Sequence, residues 1–504
     1  MVRIITDYLE ESARLFPDKV AMVDNKRSLT YSSLQAEAKR IAMALMKRQI
    51  FKNPVAVFLD KSVECISAFM GVAYSGNFYT VIDTKMPVAR IEKIISTLVP
   101  SVILTDAKHQ KTALEFAGTS EVICLEDTKD NSIDDEAIQC TTDKIIDTDV
   151  LYVLFTSGST GVPKGVIIGH RSVIDYIDWA AKTFHFDHNQ VFGNQAPFFF
   201  DNSVLDIYST LKNAGTMYII PQTCFSFPIT LLQYIRNHNI NTVFFVPTVL
   251  CRLADMGLLD KCDISCLKNI LFAGEVMPAK QLNVWRHNVP NALYANLYGP
   301  TEITVDCTYY IVDREISSDE PVPIGIPCVN SDVLVLNDKD ELVTGEEQGE
   351  LCVRGTSLAY GYYNNPEKTA EVFVQNPLNS SYPEKIYRTG DIVHYNARGE
   401  LIYDGRKDSQ VKHSGHRIEL GEIETAASAL DSIELCCCLH DARQDRLILF
   451  YCGGLAPDEL RKQLVQTLPD YMLPNASIRL DTMPLNMNGK IDRVLLKNKL
   501  TEEL

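Results

Sequence analysis

LYVLFTSGSTGVPKGVIIGH, residues 151–170, places a loop of small and hydroxyl-bearing residues between two apolar, strand-like runs. Glycine lets backbone N–H groups approach an anion closely, and hydroxyls and a lysine add further donors. The spacing is not the GxxxxGK[ST] pattern of Walker A loops. We therefore predict a phosphate-binding loop of another kind, formed by Thr156, Ser157, Gly158, Ser159, Thr160, Gly161 and Lys164.

Helix-like and strand-like segments alternate on both sides of this loop. Helix-like 33–48 precedes strand-like 54–60, and helix-like 91–100 precedes strand-like 101–106. Such alternation predicts an α/β fold of parallel sheets covered by helices. Short strands with glycine-rich turns from about 320 to 405 predict a small, β-barrel-like subdomain.

The character of the chain changes after DGRKDSQ (404–410), where a compact α+β tail begins. We therefore predict two domains, an N-terminal core over 1–405 and a small C-terminal domain over 406–504. The acidic segment 125–148 is predicted to be a solvated surface loop.

Charge and composition exclude several classes of function. The 504 residues include 48 Lys and Arg against 65 Asp and Glu, a net charge of −17. This excess of negative charge argues against nucleic acid and anionic membranes as partners. The N-terminus lacks the apolar region of a signal peptide, and no stretch approaches the roughly 18 apolar residues of a membrane span. We expect a cytoplasmic, reduced protein without membrane insertion.

Cysteines are scattered along the chain, with one local concentration. Cys436, Cys437, Cys438 and the nearby His440 lie within five positions, as metal ligands often do. Adjacent strand residues point to opposite faces, so these side chains cannot all converge on one ion. We predict that the three cysteines are small buried side chains of a strand.

Seven further segments, in order over essentially the whole chain, resemble motifs of the adenylate-forming superfamily, together with the loop TSGSTGVPKG. This superfamily contains acyl-CoA synthetases, amino-acid adenylation domains and luciferases. The segments are LTYSSL (29–34), YTVIDTKMP (79–87), NLYGPTE (296–302), GYYNNPEKTAEVF (361–373), YRTGD (387–391), GRKDSQVKHSGHRIELGEIE (405–424) and NMNGKIDR (486–493).

The resemblance implies that ATP and Mg²⁺ bind around NLYGPTE. Tyr298 would stack on the adenine and Asn296 would hydrogen-bond to it, with Gly299 in the same motif. Thr301 would contact the α-phosphate. Glu302 would hold Mg²⁺, a hard cation that prefers carboxylate oxygen.

The later motifs imply the remaining catalytic parts. Asp391 would accept the ribose hydroxyls, and Arg406 would lie near the ribose and phosphate. Asp408 matches the hinge about which a mobile C-terminal domain rotates. Lys490 would bridge the substrate carboxylate and the α-phosphate, stabilising charge as oxygen attacks phosphorus.

Asp201, in NQAPFFFDNSVLDIY, indicates the class of acid that is activated. In amino-acid adenylation enzymes the matching aspartate pairs with the α-ammonium, whereas acyl-CoA ligases and luciferases generally lack it. An unpaired carboxylate in an apolar pocket is costly, so a cationic partner is the simplest explanation. The alternative is an exposed aspartate that caps the following helix.

Within this branch the chain most resembles D-alanine–D-alanyl carrier protein ligases and stand-alone adenylation domains of nonribosomal peptide synthesis. Ala273 and Asp306 depart from the ligase pattern. Mostly apolar walls with one extra carboxylate suggest a hydroxyl- or amine-bearing side chain, and the pattern is similar to pockets that take serine. The residues implied for the amino-acid pocket are Asp201, Asn202, Leu205, Phe244, Leu271, Ala273, Leu297, Val305 and Asp306, with Lys490.

The chain ends soon after Lys490, so the expected thiol acceptor is a separate pantetheinylated carrier protein. Three alternatives stay open: a D-alanine–carrier protein ligase proper, an acyl- or aryl-CoA ligase, and a non-catalytic nucleotide-binding homologue. Asp201 argues against the second, and the intact set of motifs argues against the third.

Overall fold

The computed structural model describes residues 2–158, 162–408, 410–485 and 491–502. The chain forms two compact units. The first contains Met1–Thr84, Leu98–Phe155 and Gly165–Lys407, and the second contains Lys85–Thr97, Thr156–Lys164 and Asp408–Leu504.

The helices of the described residues are α1 (Thr6–Leu15), α2 (Tyr31–Met46), α3 (Val63–Tyr74), α4 (Val88–Leu98), α5 (Gln110–Phe116), α6 (Asp135–Thr142), α7 (His170–Thr183), α8 (Ser203–Asn213), α9 (Gln222–Ser226), α10 (Pro228–Asn237), α11 (Pro247–Asp255), α12 (Ala279–Asn288), α13 (Pro366–Val372), α14 (Leu420–Ser428), α15 (Pro457–Leu464) and α16 (Arg493–Glu502). Short 3-10 helices cover Leu125–Thr128, Thr301–Ile303 and Asp470–Met472.

The strands of the same residues are β1 (Val20–Val23), β2 (Ser28–Thr30), β3 (Pro54–Phe58), β4 (Phe78–Ile82), β5 (Val102–Thr105), β6 (Glu121–Cys124), β7 (Val150–Thr156), β8 (Lys164–Gly169), β9 (Val191–Asn194), β10 (Thr216–Ile219), β11 (Thr242–Phe245), β12 (Asn269–Phe272), β13 (Leu293–Tyr298), β14 (Thr308–Ile311), β15 (Ile326–Pro327), β16 (Ser331–Leu336), β17 (Gly349–Gly355), β18 (Phe373–Gln375), β19 (Lys385–Tyr395), β20 (Leu401–Arg406), β21 (Gln410–His413), β22 (His416–Glu419), β23 (Ile433–Asp441), β24 (Arg446–Gly453) and β25 (Ala476–Arg479).

Two large sheets form most of the first unit. One has the order β6-β5-β3-β4-β7-β8, and the other has the order β15-β14-β13-β12-β11-β9-β10-β1-β2. Neighbours from β6 to β7 are parallel, as are those from β13 to β1. Strands β3 and β4 are buried at every position, which explains their nearly continuous apolar sequences. The predicted α/β class is confirmed.

The predicted β subdomain is a five-stranded antiparallel sheet of the first unit. Its order is β16-β17-β19-β18, and β20 also pairs with β19. The long strand β19 therefore pairs along its length with three partners. It carries Asp391, which the sequence assigned to the nucleotide site.

The C-terminal part of the second unit has α+β character, as predicted. The hairpin β21–β22 is followed by α14 and by the sheet β23-β24-β25. Cys436, Cys437 and Cys438 are all buried on β23. They belong to two apolar clusters on opposite faces of that strand, in line with the sequence interpretation.

The acidic segment 125–148 is not simply a surface loop, and this prediction was wrong. It contains a 3-10 helix and α6, and the Asp134 side chain caps α6 by accepting the Ala137 N–H at 3.0 Å. Ile138 is buried and anchors α6. Acidic residues near a helix N-terminus interact favourably with the helix dipole, so the composition suited a helix. In the described part of the chain, no helix is long and apolar enough to cross a membrane.

Candidate active site

The predicted amino-acid pocket draws on the ends of three adjacent parallel strands, β11, β12 and β13. Phe244 pairs with Leu271, and Leu271 pairs with Ala295. Because side chains alternate between faces, Ala273 and Leu297 lie two positions further along the same face. One buried apolar cluster contains all six apolar residues predicted for the pocket: Leu205, Phe244, Leu271, Ala273, Leu297 and Val305. The intervening residues of β11 and β12, such as Phe245, Ile270 and Phe272, belong to a different cluster.

A strained turn follows β13 and connects the predicted nucleotide and pocket residues. A Cβ on Gly299 would lie 2.4 Å from the Val305 carbonyl oxygen, so only glycine fits. Thr304 and Val305 have φ of 59° and 71°, values that β-branched residues rarely adopt. The Asp306 N–H donates to the Thr304 carbonyl at 3.0 Å and closes a γ-turn. Strain of this kind is typical of functional sites, and here it fixes the direction of Asp306.

Asp306 is held by a tyrosine that the sequence interpretation missed. Its carboxylate is buried, with 2% of the residue exposed, and accepts the Tyr176 hydroxyl at 2.6 Å. Burial raises the pKa of Tyr176 well above its usual value, and the negative charge of Asp306 raises it further. The hydroxyl therefore stays protonated and donates. Because Tyr176 lies on α7, 130 residues from Asp306, no local pattern connects the two.

Asp201 lies beside the same group of buried tyrosines, just before α8. Burial raises the pKa values of Tyr152 and Tyr176, and the charge of Asp201 contributes to both shifts. The N-cap residue of α8 is Asn202, whose side chain makes no capping hydrogen bond, and Leu205 is buried one turn later. Asp201 is thus one residue before the cap position of α8. Its negative charge raises the pKa of Tyr176, as the charge of Asp306 also does.

Glu302 has the surroundings expected of a magnesium ligand. It is 0% exposed, and its Oε1 accepts the Tyr362 hydroxyl at 2.7 Å. Thr301 precedes it in the 3-10 helix and is also buried. A buried carboxylate is costly unless it is compensated, and Mg²⁺ prefers oxygen ligands. The Tyr362 hydroxyl orients the carboxylate as outer-shell partners of metal ligands do, so Glu302 fits this cation.

Two predicted nucleotide residues of the first unit, Tyr298 and Arg406, contact Asp391. This buried carboxylate accepts the Tyr298 hydroxyl at one oxygen and Arg406 Nη1 at the other, the latter at 2.7 Å. Asn296 lies two residues before Tyr298 on β13 and donates to the Pro323 carbonyl at 2.8 Å. Each oxygen of Asp391 keeps acceptor capacity beyond these bonds, because a carboxylate offers about four acceptor sites.

The predicted phosphate loop belongs to the second unit. A Cβ on Gly158 would lie 2.0 Å from the Val162 carbonyl oxygen, which explains glycine at this position. The Thr156 hydroxyl donates to the Lys164 carbonyl at 3.5 Å. Four residues with predicted roles lie outside the described residues: Ser159, Thr160, Gly161 and Lys490.

Donors of this loop bind oxygen acceptors of the same unit. The Ser157 hydroxyl donates to the Arg417 carbonyl at 2.9 Å, and the Gly158 N–H donates to Glu422 Oε2 at 3.3 Å. The Lys164 ammonium lies 3.9 Å from a carboxylate oxygen of Glu419. Two of the three acceptors are carboxylates, and the role of this loop in phosphate binding stays a prediction.

Asp408 is the first residue of the C-terminal part of the second unit. Its Oδ1 accepts the Gln410 N–H at 3.1 Å, which stabilises the turn into β21. Its role as a hinge stays a prediction.

Comparison with known proteins identifies relatives along most of the chain. Residues 9–363 match the family model described as "AMP-binding enzyme". Tyrocidine synthase 1 of Brevibacillus parabrevis is 32% identical over 98% of this chain, which spans only 44% of that protein. L-proline–[L-prolyl-carrier protein] ligase of Streptomyces coelicolor is 33% identical over 92% of this chain and 91% of its own length.

Solved structures share the fold. The adenylation domain AlmE of Vibrio cholerae, crystallised with glycyl-adenosine-5'-phosphate, matches with a TM-score of 0.85 over 99% of this chain and 98% of its own. Its sequence identity of 21% supports a common fold and no more.

Proposed function

Because the chain belongs to the family of AMP-binding enzymes, we propose that it adenylates an amino acid with ATP and passes the aminoacyl group to the pantetheine thiol of a carrier protein. The 33% identity to a protein named as an amino acid–carrier protein ligase supports this choice. Asp201 is the observation that carries it, because the negative charge of this half-buried carboxylate acts on the buried residues Tyr152 and Tyr176 and would attract a substrate ammonium.

The side chain of the amino acid is proposed to bear a hydroxyl or an amine, as in serine. Apolar walls from β11, β12 and β13 would surround it. Asp306 accepts the Tyr176 hydroxyl, and a carboxylate offers about four acceptor sites, so a hydroxyl or an ammonium of the substrate could also donate to it.

The nucleotide would bind at Asp391, at Tyr298 and Arg406, which both contact Asp391, and at Asn296, Thr301 and the loop. Asp391 and Arg406 would receive the ribose, Tyr298 would stack on the adenine, and Asn296 would hydrogen-bond to its edge. Thr301 would donate to the α-phosphate. The loop residues Thr156, Ser157, Gly158, Ser159, Thr160, Gly161 and Lys164 would contact the outgoing phosphates.

Magnesium, when bound at Glu302, would neutralise charge on the departing pyrophosphate. The Tyr362 hydroxyl donates to the Glu302 carboxylate and holds it in one orientation for the ion. We place the reaction in the cytoplasm, where ATP is supplied and where cysteine thiols stay reduced.

Lys490 and Asp408 would divide the reaction into two steps. The Lys490 ammonium would contact the substrate carboxylate and the α-phosphate while the carboxylate oxygen attacks phosphorus and pyrophosphate leaves. Rotation of the C-terminal domain about Asp408 would then withdraw Lys490 and let the carrier thiol attack the aminoacyl carbonyl, with AMP leaving.

ATP–pyrophosphate exchange tests the proposal, with amino acids of both chiralities, fatty acids and aryl acids offered in turn. We expect exchange with amino acids only, and loss of at least about 100-fold in Asp201→Asn, because one partner of a buried charge pair is removed. Asp187→Asn, an exposed aspartate of the same unit, is the matched control. Strong exchange with a fatty or aryl acid, or an unaffected Asp201→Asn, would contradict amino-acid recognition.

A further inference from the structure

Two histidines and one aspartate of the second unit converge, one histidine from the β21–β22 hairpin and the other two residues from the β23–β24 hairpin. His413 ends β21, His440 lies on β23, and Asp445 lies in the turn between β23 and β24. One possible ligand atom from each residue lies within 4.8 Å of the others. None of these residues has a part in the adenylation chemistry proposed above, so the cluster needs an explanation of its own.

The geometry of the cluster is close to that of a metal site. Asp445 Oδ1 lies 2.9 Å from His413 Nδ1 and 2.8 Å from His440 Nε2. The two rings are 5.8 Å apart between centroids and inclined at 72°, so they approach the carboxylate from different directions. Ligand atoms at about 2.0–2.1 Å from a tetrahedral zinc ion are about 3.3 Å apart, so small side-chain shifts would admit the ion.

The backbone holds the three side chains in place. Ser414 and Gly415 both have positive φ and form the two-residue turn between β21 and β22, in which His413 pairs with His416. The N–H and the hydroxyl of Ser414 donate to Asp445 Oδ2 at 3.1 and 3.3 Å. This leaves Oδ1 directed at the two rings, as outer-shell bonds direct the carboxylates of metal sites.

Burial and charge also suit a cation. The His413 and His440 side chains are largely buried, whereas the Asp445 side chain is 37% exposed and leaves an approach from solvent. Without an ion, each ring must place a proton between its nitrogen and this carboxylate, and a metal ion would replace those protons.

We propose that His413, His440 and Asp445 bind a divalent transition-metal ion of the zinc class, which ties the β21–β22 turn to the β23–β24 hairpin. Imidazole nitrogens favour zinc, nickel and copper over magnesium, which prefers oxygen ligands alone. The site is thus chemically distinct from Glu302 and independent of the substrate of the enzyme.

Calorimetric titration of the full-length, chelator-treated protein with zinc chloride in excess Mg²⁺ tests the proposal. We expect saturable binding of one ion and a higher melting temperature in its presence. His413→Gln, His440→Gln and Asp445→Asn should each weaken zinc binding by more than about 10-fold, the lower limit found for outer-shell partners alone. His287→Gln, an exposed histidine on α12, is the control and should bind as wild type does.

X-ray absorption of the zinc-loaded wild-type protein makes the test independent of the variants. Nitrogen and oxygen ligands without sulfur are expected. Sulfur ligation would assign the ion to cysteines, and saturable binding that survives all three substitutions would assign it elsewhere. Either result, or the absence of saturable binding, would overturn the proposal and leave a hydrogen-bonded cluster that holds two hairpins together.

Discussion

Asp306 in the first unit and Asp445 in the second are both contacted by ring side chains, Tyr176 in one case and His413 and His440 in the other, yet we propose different ligands for them. Asp306 is buried and accepts a tyrosine hydroxyl, whereas Asp445 is partly exposed and meets two imidazole nitrogens. A buried phenol beside a carboxylate keeps its proton, so Tyr176 can only donate to Asp306, and the proposed ligand of Asp306 is a substrate donor. An imidazole can exchange its proton for a metal ion, so the proposed ligand of Asp445 is a cation.

His170 is a third case, a buried histidine whose ring contacts a backbone N–H and not a carboxylate. It begins α7, and its Nδ1 accepts the Ile5 N–H at 3.2 Å. Burial lowers its pKa to about 4, against the opposing charges of Asp149 and Asp147. In the unfolded chain this histidine binds a proton near pH 6.5, whereas in the folded chain it does so only near pH 4. The free energy of unfolding is therefore not reduced by His170 above pH 6.5, and it decreases between pH 6.5 and 4 by up to about 3 kcal/mol.

Urea unfolding followed by tryptophan fluorescence measures this effect, because Trp179 and Trp285 both lie in the first unit. His170→Asn keeps an acceptor but no titrating group, so its stability should fall less between pH 7 and pH 4. Equal pH dependence in wild type and variant would show that His170 does not titrate as described.

Asp306→Ala tests the proposed contact between Asp306 and the substrate side chain. The carboxylate that would accept the substrate donor is removed, so kcat/KM for hydroxyl- or amine-bearing amino acids should fall by about 100-fold, while alanine loses much less. ATP–pyrophosphate exchange over a panel of amino acids measures the shift, with Asp187→Asn as the control. An unchanged profile would remove Asp306 from substrate recognition.

Gly299→Ala tests whether the strained turn positions Asp306. The new Cβ would lie 2.4 Å from a carbonyl oxygen and 2.6 Å from Asp306 Cα. Overpacking of this kind should destabilise the first unit by about 2 kcal/mol and reduce exchange. Gly454→Ala, where a Cβ meets nothing within 4 Å, is the control in denaturant unfolding. Normal stability and exchange in Gly299→Ala would show that the turn tolerates displacement.

Tyr176→Phe is the smallest change to the same site. It removes one hydrogen bond to a buried carboxylate, so stability should fall by about 1 kcal/mol and KM for the amino acid should rise. Denaturant unfolding and exchange kinetics measure the two effects. The exposed Tyr382→Phe should change neither. If both variants behave alike, Tyr176 does not hold Asp306 in solution.

Periodicity predicted the elements that are apolar or amphipathic. The helix-like segment 33–48 is α2 at Tyr31–Met46, and the strand-like segment 54–60 is β3 at Pro54–Phe58. The prediction failed for 125–148, where polar composition was interpreted as a loop although Asp134 offered a helix cap. Polar composition indicates that a segment is exposed to solvent, whereas capping residues indicate where a helix begins. Most residues of α6 are at least partly exposed, so its composition alone could not distinguish it from a loop.

Motifs named candidate residues for the chemistry but not the residues that hold them in place. Tyr176 and Tyr362 hold Asp306 and Glu302 from 130 and 60 residues away, and such pairings exist only once the sheets have formed. His440 was considered only with its neighbouring cysteines. Its actual partners, His413 and Asp445, are brought to it by two hairpins.

Amino-acid activation is tested most directly by ATP–pyrophosphate exchange of the wild-type chain over one panel of amino, fatty and aryl acids. The highest kcat/KM should belong to an amino acid whose side chain bears a hydroxyl or an amine, ahead of alanine and well ahead of any acid without an α-amine. If a fatty or aryl acid gave the highest kcat/KM, the proposed roles of both Asp201 and Asp306 would be contradicted.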